Sequence, residues 1–466
     1  MGAPVHRKPS GPPTTLASVL GEEVTAGTLA DSPRRRWRGR FTAWHAWLLA
    51  IVAAALAIRL GYVIGWSDSS LERGDAVYYH VGANLLADGR GFIHPVAAAF
   101  SFREIQGADH PPAFIVYLAA GSLVGLRTFF EHQVWSCFLG AATVGVVGLT
   151  GRRIGGPRAG LAGAGLAAVF PTMWMPDGWV LSETMAMFAV AVVILAAYRC
   201  WDDPRRATAI WLGVALGLAA LSRSELVLLG PLIAMPLFWY KRRSVGQVVA
   251  SVLVVGVTTL VVVAPWVVYN LSRFDHVVLL SDQSGDTVAA SWCNDGFYGN
   301  ALGYKSYKCL AASLDEDDPA DSWTTYGMDH LERVPLVMAA RVARVWGLFR
   351  PRQQVGFETF FGTEVPATWA AFAMSWVMLV LAPVGALRLR RRGTPLSPLL
   401  APIIVMTLAV ALTFGQLRYR APAEPALVLL VAGVWARRPS PPETSEATAD
   451  DEAAAGEPEP VPAPVG

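Results

Sequence analysis

The chain has 466 residues, of which 53% are apolar and 16% charged, with a mean hydropathy of +0.40. Soluble domains carry roughly 25% charged residues, so the composition excludes an ordinary soluble enzyme and points to a protein of many membrane spans. The net charge of +2 says little and gives no sign of a nucleic-acid partner; the basic residues matter through their clustering between apolar stretches.

The N-terminal segment is rich in Pro, Gly, Ser and Thr and lacks an apolar signal-peptide core. Residues 1–40 read as a disordered basic cytoplasmic tail, and 439–466, rich in Pro, Ala and Glu, as a second one. Between them, 41–438 reads as the transmembrane domain. A spanning helix needs about 20 apolar residues, and cytoplasmic loops carry the Lys and Arg excess. The cluster Arg34-Arg35-Arg36-Trp37-Arg38-Gly39-Arg40 places the N-terminus inside, and the first span is expected over 44–66. A first outer loop then covers 67–132. Its apolar stretch 111–126 opens with Pro-Pro and is short, so it reads as a juxtamembrane helix rather than a span.

Further spans are expected over 133–150, 159–176, 179–198, 207–222, 226–240 and 247–268. A large outer loop, 269–364, follows, and the last spans are 366–386, 396–415 and 424–436. This arrangement puts Arg152-Arg153, Lys241-Arg242-Arg243, Arg388 to Arg392 and Arg437-Arg438 all inside, with both termini cytoplasmic. In the large loop, Cys293 and Cys309 are 16 positions apart. In an oxidising space they are expected to pair, closing a loop worth about 3 kcal/mol in the chain-entropy model; two free thiols are the alternative. Residues 333–349, with Arg341 and Arg344 among apolar neighbours, read as an amphipathic interfacial helix. Cys137 and Cys200 read as small apolar fillers.

The chemistry-bearing residues collect at one end of the spans. Asp75 follows the first span in Arg73-Gly74-Asp75-Ala76-Val77-Tyr78-Tyr79-His80. Group transfer to an alcohol needs a base at the hydroxyl and stabilisation of the leaving group, and Asp75 is the candidate base. If its segment is helical, Tyr79 shares its face at the i,i+4 spacing; a helix-capping aspartate is the plainer alternative. Asp109 and His110 precede Pro111-Pro112, and Asp177 and Glu183 flank an outer hairpin. Arg223, Arg418 and Arg420, with Tyr419 between the last two, interrupt apolar stretches. An ionisable group at membrane depth is a functional candidate by default, and the arginine fork suits a phosphate; a buried structural ion pair is the alternative for Arg223 with Glu225. Asp315-Glu316-Asp317 reads as a solvated acidic run, and no P-loop, dinucleotide fingerprint or His-Glu-x-x-His is present. No metal site is assigned, although Asp75 with Asp109 leaves a divalent ion open.

Taken in order, Gly74-Asp75-Ala76-Val77-Tyr78-Tyr79, Asp109-His110-Pro111-Pro112, Asp177-Gly178 with Leu181-Ser182-Glu183, Leu221-Ser222-Arg223-Ser224-Glu225, Ala264-Pro265-Trp266 and Arg418-Tyr419-Arg420-Ala421-Pro422 resemble the polytopic GT-C glycosyltransferases, of the bacterial family 39 and 83 type. The resemblance implies an all-α polytopic bundle of roughly ten spans with juxtamembrane helices in the first outer loop. It also implies a polyprenyl-phosphate sugar donor, an envelope glycan, lipid or protein acceptor, and inversion at the anomeric carbon. Asp75 and Asp109 are then the catalytic candidates, and Tyr79, His110, Glu183, Arg223, Arg418, Tyr419 and Arg420 the substrate-binding ones. Protein O-mannosyltransferases of this group carry Asp-Glu where this chain has Asp75-Ala76, and no soluble MIR domain is present. A membrane transporter or lipid flippase of envelope precursors is the alternative reading, although no internal repeat of the kind transporters use is visible.

Overall fold

The computed structural model describes residues 42–67, 74–241, 244–314, 319–360 and 362–436. Both tails, Arg73, Arg242-Arg243, Asp315-Glu316-Asp317 and Arg437-Arg438 lie outside the described residues.

Helices dominate, in chain order. The first membrane-length helix is α1 (Ala43–Gly65). The first loop carries α2 (Gly74–Ala87), α3 (Pro95–Phe100) and α4 (Ala113–Leu123). Next come α5 (Phe129–Gly155), α6 (Pro157–Val169), the single turn α7 (Pro171–Trp174) and a 3-10 turn Met175–Gly178. They lead to α8 (Ser182–Asp202), α9 (Arg206–Ala220), a 3-10 turn Ser224–Leu228, α10 (Leu229–Lys241) and α11 (Val245–Leu271). The large loop holds α12 (Ser284–Ala289), α13 (Asn294–Phe297), α14 (Tyr307–Leu314), α15 (Pro319–Asp329), α16 (Val334–Val345) and α17 (Pro351–Phe360). The chain closes with α18 (Val365–Arg391), α19 (Ser397–Leu412), a 3-10 turn Leu417–Ala423 and α20 (Glu424–Ala432). No strand occurs among the described residues; Ile93 and Gln106 form an isolated bridge.

Five of these helices, α1, α5, α8, α11 and α18, are long and apolar enough to cross a membrane. Helices also lie at the other expected spans but are shorter. The 111–126 stretch yields the eleven residues of α4, about half of what a span requires, and α4 packs chiefly on α2, with smaller contacts to α5 and α8.

Local chemistry sets the boundaries. A capping box of Thr128 and Glu131 starts α5, and Gly156 at φ +91° ends it just before Pro157 opens α6. The α5–α6 contact depends on small residues: a Cβ at Gly160 would meet the Gly148 carbonyl at 2.8 Å. Without water between helices, such close approach provides van der Waals contact that lipid cannot match.

The core runs through α5, α6, α8, α9 and α20, with Val144, Val190, Ile194, Leu212 and Leu429 fully buried. Apart from Glu424 in its first turn, helix α20 is apolar on all sides, and it is buried throughout, as a central helix must be. Helix α11 is the opposite: Leu253, Val257, Leu260 and Val261 stand exposed along it, a continuous apolar face that lipid would cover.

Two expectations from the large loop resolve differently. Cys293 and Cys309 form a disulfide with their Cα atoms 5.6 Å apart, while Cys137 and Cys200 are free and buried. The interfacial-helix reading of 333–349 is corrected. Helix α16 packs on α19, and Arg341 and Arg344 are fully buried. Arg341 donates to the carbonyls of Ala411 and Leu412 at the end of α19 (2.9 and 3.1 Å) and to Ser291. Arg344 donates to Leu302, Gln354 and Gln353. The last carbonyls of a helix lack intrahelical donors, and a guanidinium with five N–H groups can satisfy several at once; the two arginines face the protein interior, not a polar membrane surface.

Candidate active site

The site begins where α1 ends. Deep in that helix, Arg59 is fully buried; its Nε lies 2.8 Å from Asp177 Oδ2, and its other nitrogens donate to Ala55 and Met173. Thr184 donates to Asp177 Oδ1 at 2.8 Å. This closed group fixes the end of α1 against the start of α8. Gly140 on α5 makes room for it, since a Cβ there would lie 2.1 Å from Asp177 Oδ2.

Beyond this seal a cavity of about 480 Å³ opens. Asp75, in the first turn of α2, faces it from one side. Its Oδ2 accepts from Arg418 Nη2 at 2.7 Å, and its Oδ1 lies 3.9 Å from His110 Nε2. Asp75 keeps 34% of its side-chain surface accessible, so the carboxylate is held but not sealed. Burial alone would raise its pKa. The Arg418 guanidinium, with Lys305 nearby, overrides that and holds the carboxyl well below the usual carboxylate range. Asp75 is therefore an anion at any physiological pH.

Arg418 comes from the 3-10 turn Leu417–Ala423. Its second arm is 3.7 Å from Glu183 Oε1, and Arg223 reaches the same oxygen at 3.1 Å. Arg223 stands at the extended corner after α9 and also binds Glu225 at 2.6 Å. Tyr419 lies between the two arginines, with Arg223 and Arg418 5.0 and 5.2 Å from its ring centre. His110 stacks on Tyr79 at 4.9 Å and 16°. Burial lowers the His110 pKa against the pull of Asp75 and Asp109, so this imidazole is neutral near pH 7. The first amide of α4 donates to the Leu221 carbonyl at 2.9 Å, which locks the His110 segment against the Arg223 corner.

The structure thus brings together Asp75, Tyr79, His110, Glu183, Arg223, Arg418 and Tyr419 from five separate stretches of chain. Two candidates lie elsewhere. Asp109 sits beside the cluster but its carboxylate faces His94, 3.2 Å away, while its backbone is fastened to Tyr78 and Ser281. Arg420, two residues past Arg418, points the other way. Its guanidinium is spent on Glu424 (2.6 Å), Ser375 (2.7 Å) and the Val345 carbonyl (3.0 Å) inside the helix bundle. Among the described residues no group of three His, Cys, Asp or Glu side chains is arranged to hold a metal ion.

Two ionisable residues on the opposite cavity wall were not singled out from the sequence. Lys305 lies inside the loop that the disulfide closes; burial and Arg418 push its pKa down to about 8, against Asp75 and Glu358. Glu358 on α17 is buried and its pKa is pushed up to about 7. The only clue to Lys305 was its place four residues before Cys309. Glu358 carries no local signal, because apart from Gln354 its partners, Leu417, Lys305 and Arg418, are more than fifty residues away.

Residues 109–269 match the family described as dolichyl-phosphate-mannose-protein mannosyltransferase, a segment that includes His110, Glu183 and Arg223. Among solved structures, the chain is similar to the oligosaccharyltransferase AglB of Archaeoglobus fulgidus, in complex with an inhibitory peptide and a dolichol-phosphate. The TM-score is 0.51 at 16% identity, covering 84% of this chain and 50% of that one. Weaker likenesses are to the S. cerevisiae protein O-mannosyltransferase Pmt1–Pmt2 complex bound to the sugar donor (TM-score 0.40, 18% identity, 52% of this chain and 35% of that) and to ArnT of Cupriavidus metallidurans bound to undecaprenyl phosphate (0.38, 16%, 84% and 76%). No curated protein matches by sequence at a significant level. The chain spans half the length of the archaeal enzyme. The matched segment is about a third of the chain, and the likeness to the archaeal enzyme shows a shared helical membrane-protein fold.

Proposed function

We propose that this protein moves a sugar from a polyprenyl-phosphate donor to an acceptor hydroxyl of the cell envelope, at the outer face of the cell membrane and with inversion. The carrying observation is one cavity in which a carboxylate, Asp75, and a guanidinium, Arg418, meet at 2.7 Å. In this reading the protein has ten spans with both termini cytoplasmic, and the cavity opens outward.

The residues divide the chemistry between them. Arg418 and Arg223 receive the departing lipid phosphate, and neutral His110 adds a hydrogen bond to it. Glu183 and Glu225 orient the two arginines. Tyr79 and Tyr419 hold the imidazole and the guanidinium planes by stacking. Asp75 accepts the hydrogen bond of the acceptor hydroxyl, whose oxygen attacks the anomeric carbon as the bond to phosphate breaks. Paired with Arg418, Asp75 is too weak a base to take that proton. A donor phosphate competes for the same guanidinium, and as Arg418 turns to it the Asp75 basicity rises. Donor binding would then arm the base, which keeps the site quiet when empty. Asp75 and Asp109 face different partners, Arg418 and His94, so transfer without a metal is the favoured mode. Addition of EDTA to purified enzyme checks this: unchanged turnover is expected, and loss restored by Mg²⁺ or Mn²⁺ would reverse it.

Mass spectrometry of envelope glycans and lipid-linked sugars in a deletion strain tests the function. A polyprenyl-phosphate sugar should accumulate and one glycan residue should disappear. Unchanged pools in a strain without a redundant enzyme would remove the reading.

A further inference from the structure

Glu358 makes no contact with Asp75, yet it grips the segment that delivers Arg418. Its Oε1 accepts from the Leu417 backbone N–H at 2.8 Å, one residue before Arg418. The same oxygen accepts from Gln354 Nε2 at 2.6 Å, and Gln354 also donates to the Gly415 carbonyl at 2.9 Å. Gln354 in turn accepts from Arg344, which is fastened to the Leu302 carbonyl of the disulfide-closed loop. Two side chains on one turn of α17 therefore hold the chain on both sides of Gln416 and tie it to the large loop. The grip is buried, with Glu358 1% and Gln354 0% exposed. A buried carboxyl is costly unless it is well bonded, and here Oε1 takes one bond from Gln354 on its own helix and one from the backbone of the Leu417–Ala423 turn.

We propose that Glu358 is a positioning residue: it sets the height of the Leu417–Ala423 turn so that Arg418 meets Asp75 and the donor phosphate. The proposal rests on the phosphate-binding role given above to Arg418. It treats α17 and the disulfide-closed loop as the bracket of the site rather than as a cover over it.

Binding of undecaprenyl phosphate to the purified full chain in detergent tests it, in a double-mutant cycle of Glu358→Ala with Arg418→Lys. Losing the oxygen that accepts from Leu417 should weaken binding by roughly tenfold in Glu358→Ala. Glu358→Gln, whose amide oxygen can still accept from Leu417, should stay within about threefold of wild type. If Glu358 acts through Arg418, the double variant should bind no worse than Arg418→Lys alone, because coupled sites are not additive. Additive losses, or wild-type binding by Glu358→Ala, would overturn the proposal. Wild-type binding by both Arg418→Lys and Arg418→Ala would instead overturn the phosphate role beneath it. Should Glu358→Ala fail to fold, the cycle of Gln354→Leu with Arg418→Lys asks the same question: non-additivity supports the bracket and additivity removes it.

Discussion

Arg59 with Asp177, and Arg418 with Asp75, are both guanidinium–carboxylate pairs near the end of α1, at 2.8 and 2.7 Å. The first pair is fully buried on both sides, while the second keeps 34% of the Asp75 side chain open to a cavity. Arg420 with Glu424 belongs with the first kind, at 2.6 Å and almost fully enclosed. In the sequence all three look alike: a charge interrupting an apolar stretch. What separates an architectural pair from a reactive one is whether a substrate can reach it, and that depends on residues distant in the chain.

The largest expected effect is on activity. Arg418→Ala should lower transfer by at least about a hundredfold, in the range seen when one transition-state donor is removed, with the protein still eluting as a folded species. Sealed pairs should respond in the opposite way. Asp177→Asn or Glu424→Gln leaves a buried guanidinium without its counter-charge, which costs about 3–5 kcal/mol; thermal unfolding in detergent should show a large drop. A folded, active Asp177→Asn variant would erase the distinction between the two kinds of pair.

A smaller effect concerns the opposite wall. Lys305 is carried by the loop that Cys293 and Cys309 close, so reduction of the disulfide should cost several-fold in activity, about as much as Lys305→Ala. Reduction that further weakens Lys305→Ala would show that the loop contributes something besides this lysine. With the Lys305 pKa at about 8, its charge is lost as pH rises through 8, and the Lys305-dependent part of activity should fall there. Lys305→Ala should lack that limb of the pH profile.

The smallest effect is on stability. Glu358 has a folded pKa of about 7 against an ordinary value of 4.5. Between those values the unfolded chain has lost the proton while the folded one keeps it. Stability should therefore decline as pH rises from about 4.5 to 7, by at most about 3 kcal/mol, and stay reduced above that. Glu358→Gln should flatten the decline, as seen by thermal unfolding against pH. A stability that rises across the same window would place the carboxyl in a different environment.

Much of this was legible in the sequence. Apolar runs located the long helices, Pro111-Pro112 marked the start of α4, and the cysteine spacing pointed to the disulfide. Asp75 and Tyr79 were legible because they share one short stretch just beyond the first span, and His110 because it lies in the same outer loop directly before Pro111-Pro112. Arg420 was grouped with Arg418 because adjacency in sequence was taken for adjacency in space; a 3-10 turn points side chains two apart in different directions. Arg341 and Arg344 were placed at the lipid surface because an amphipathic pattern does not say what covers its polar face. Lys305 and Glu358 were missed because only the folded loop brings them to Asp75.

The most direct measurement follows labelled polyprenyl-phosphate sugar through proteoliposomes containing either the wild-type chain or Asp75→Asn. Wild type should release free polyprenyl phosphate and form a covalent glycosyl product. Asp75→Asn should bind the donor and form none. Label crossing the bilayer without any covalent product, or wild-type turnover by Asp75→Asn, would contradict a transfer centre built on Asp75 and Arg418.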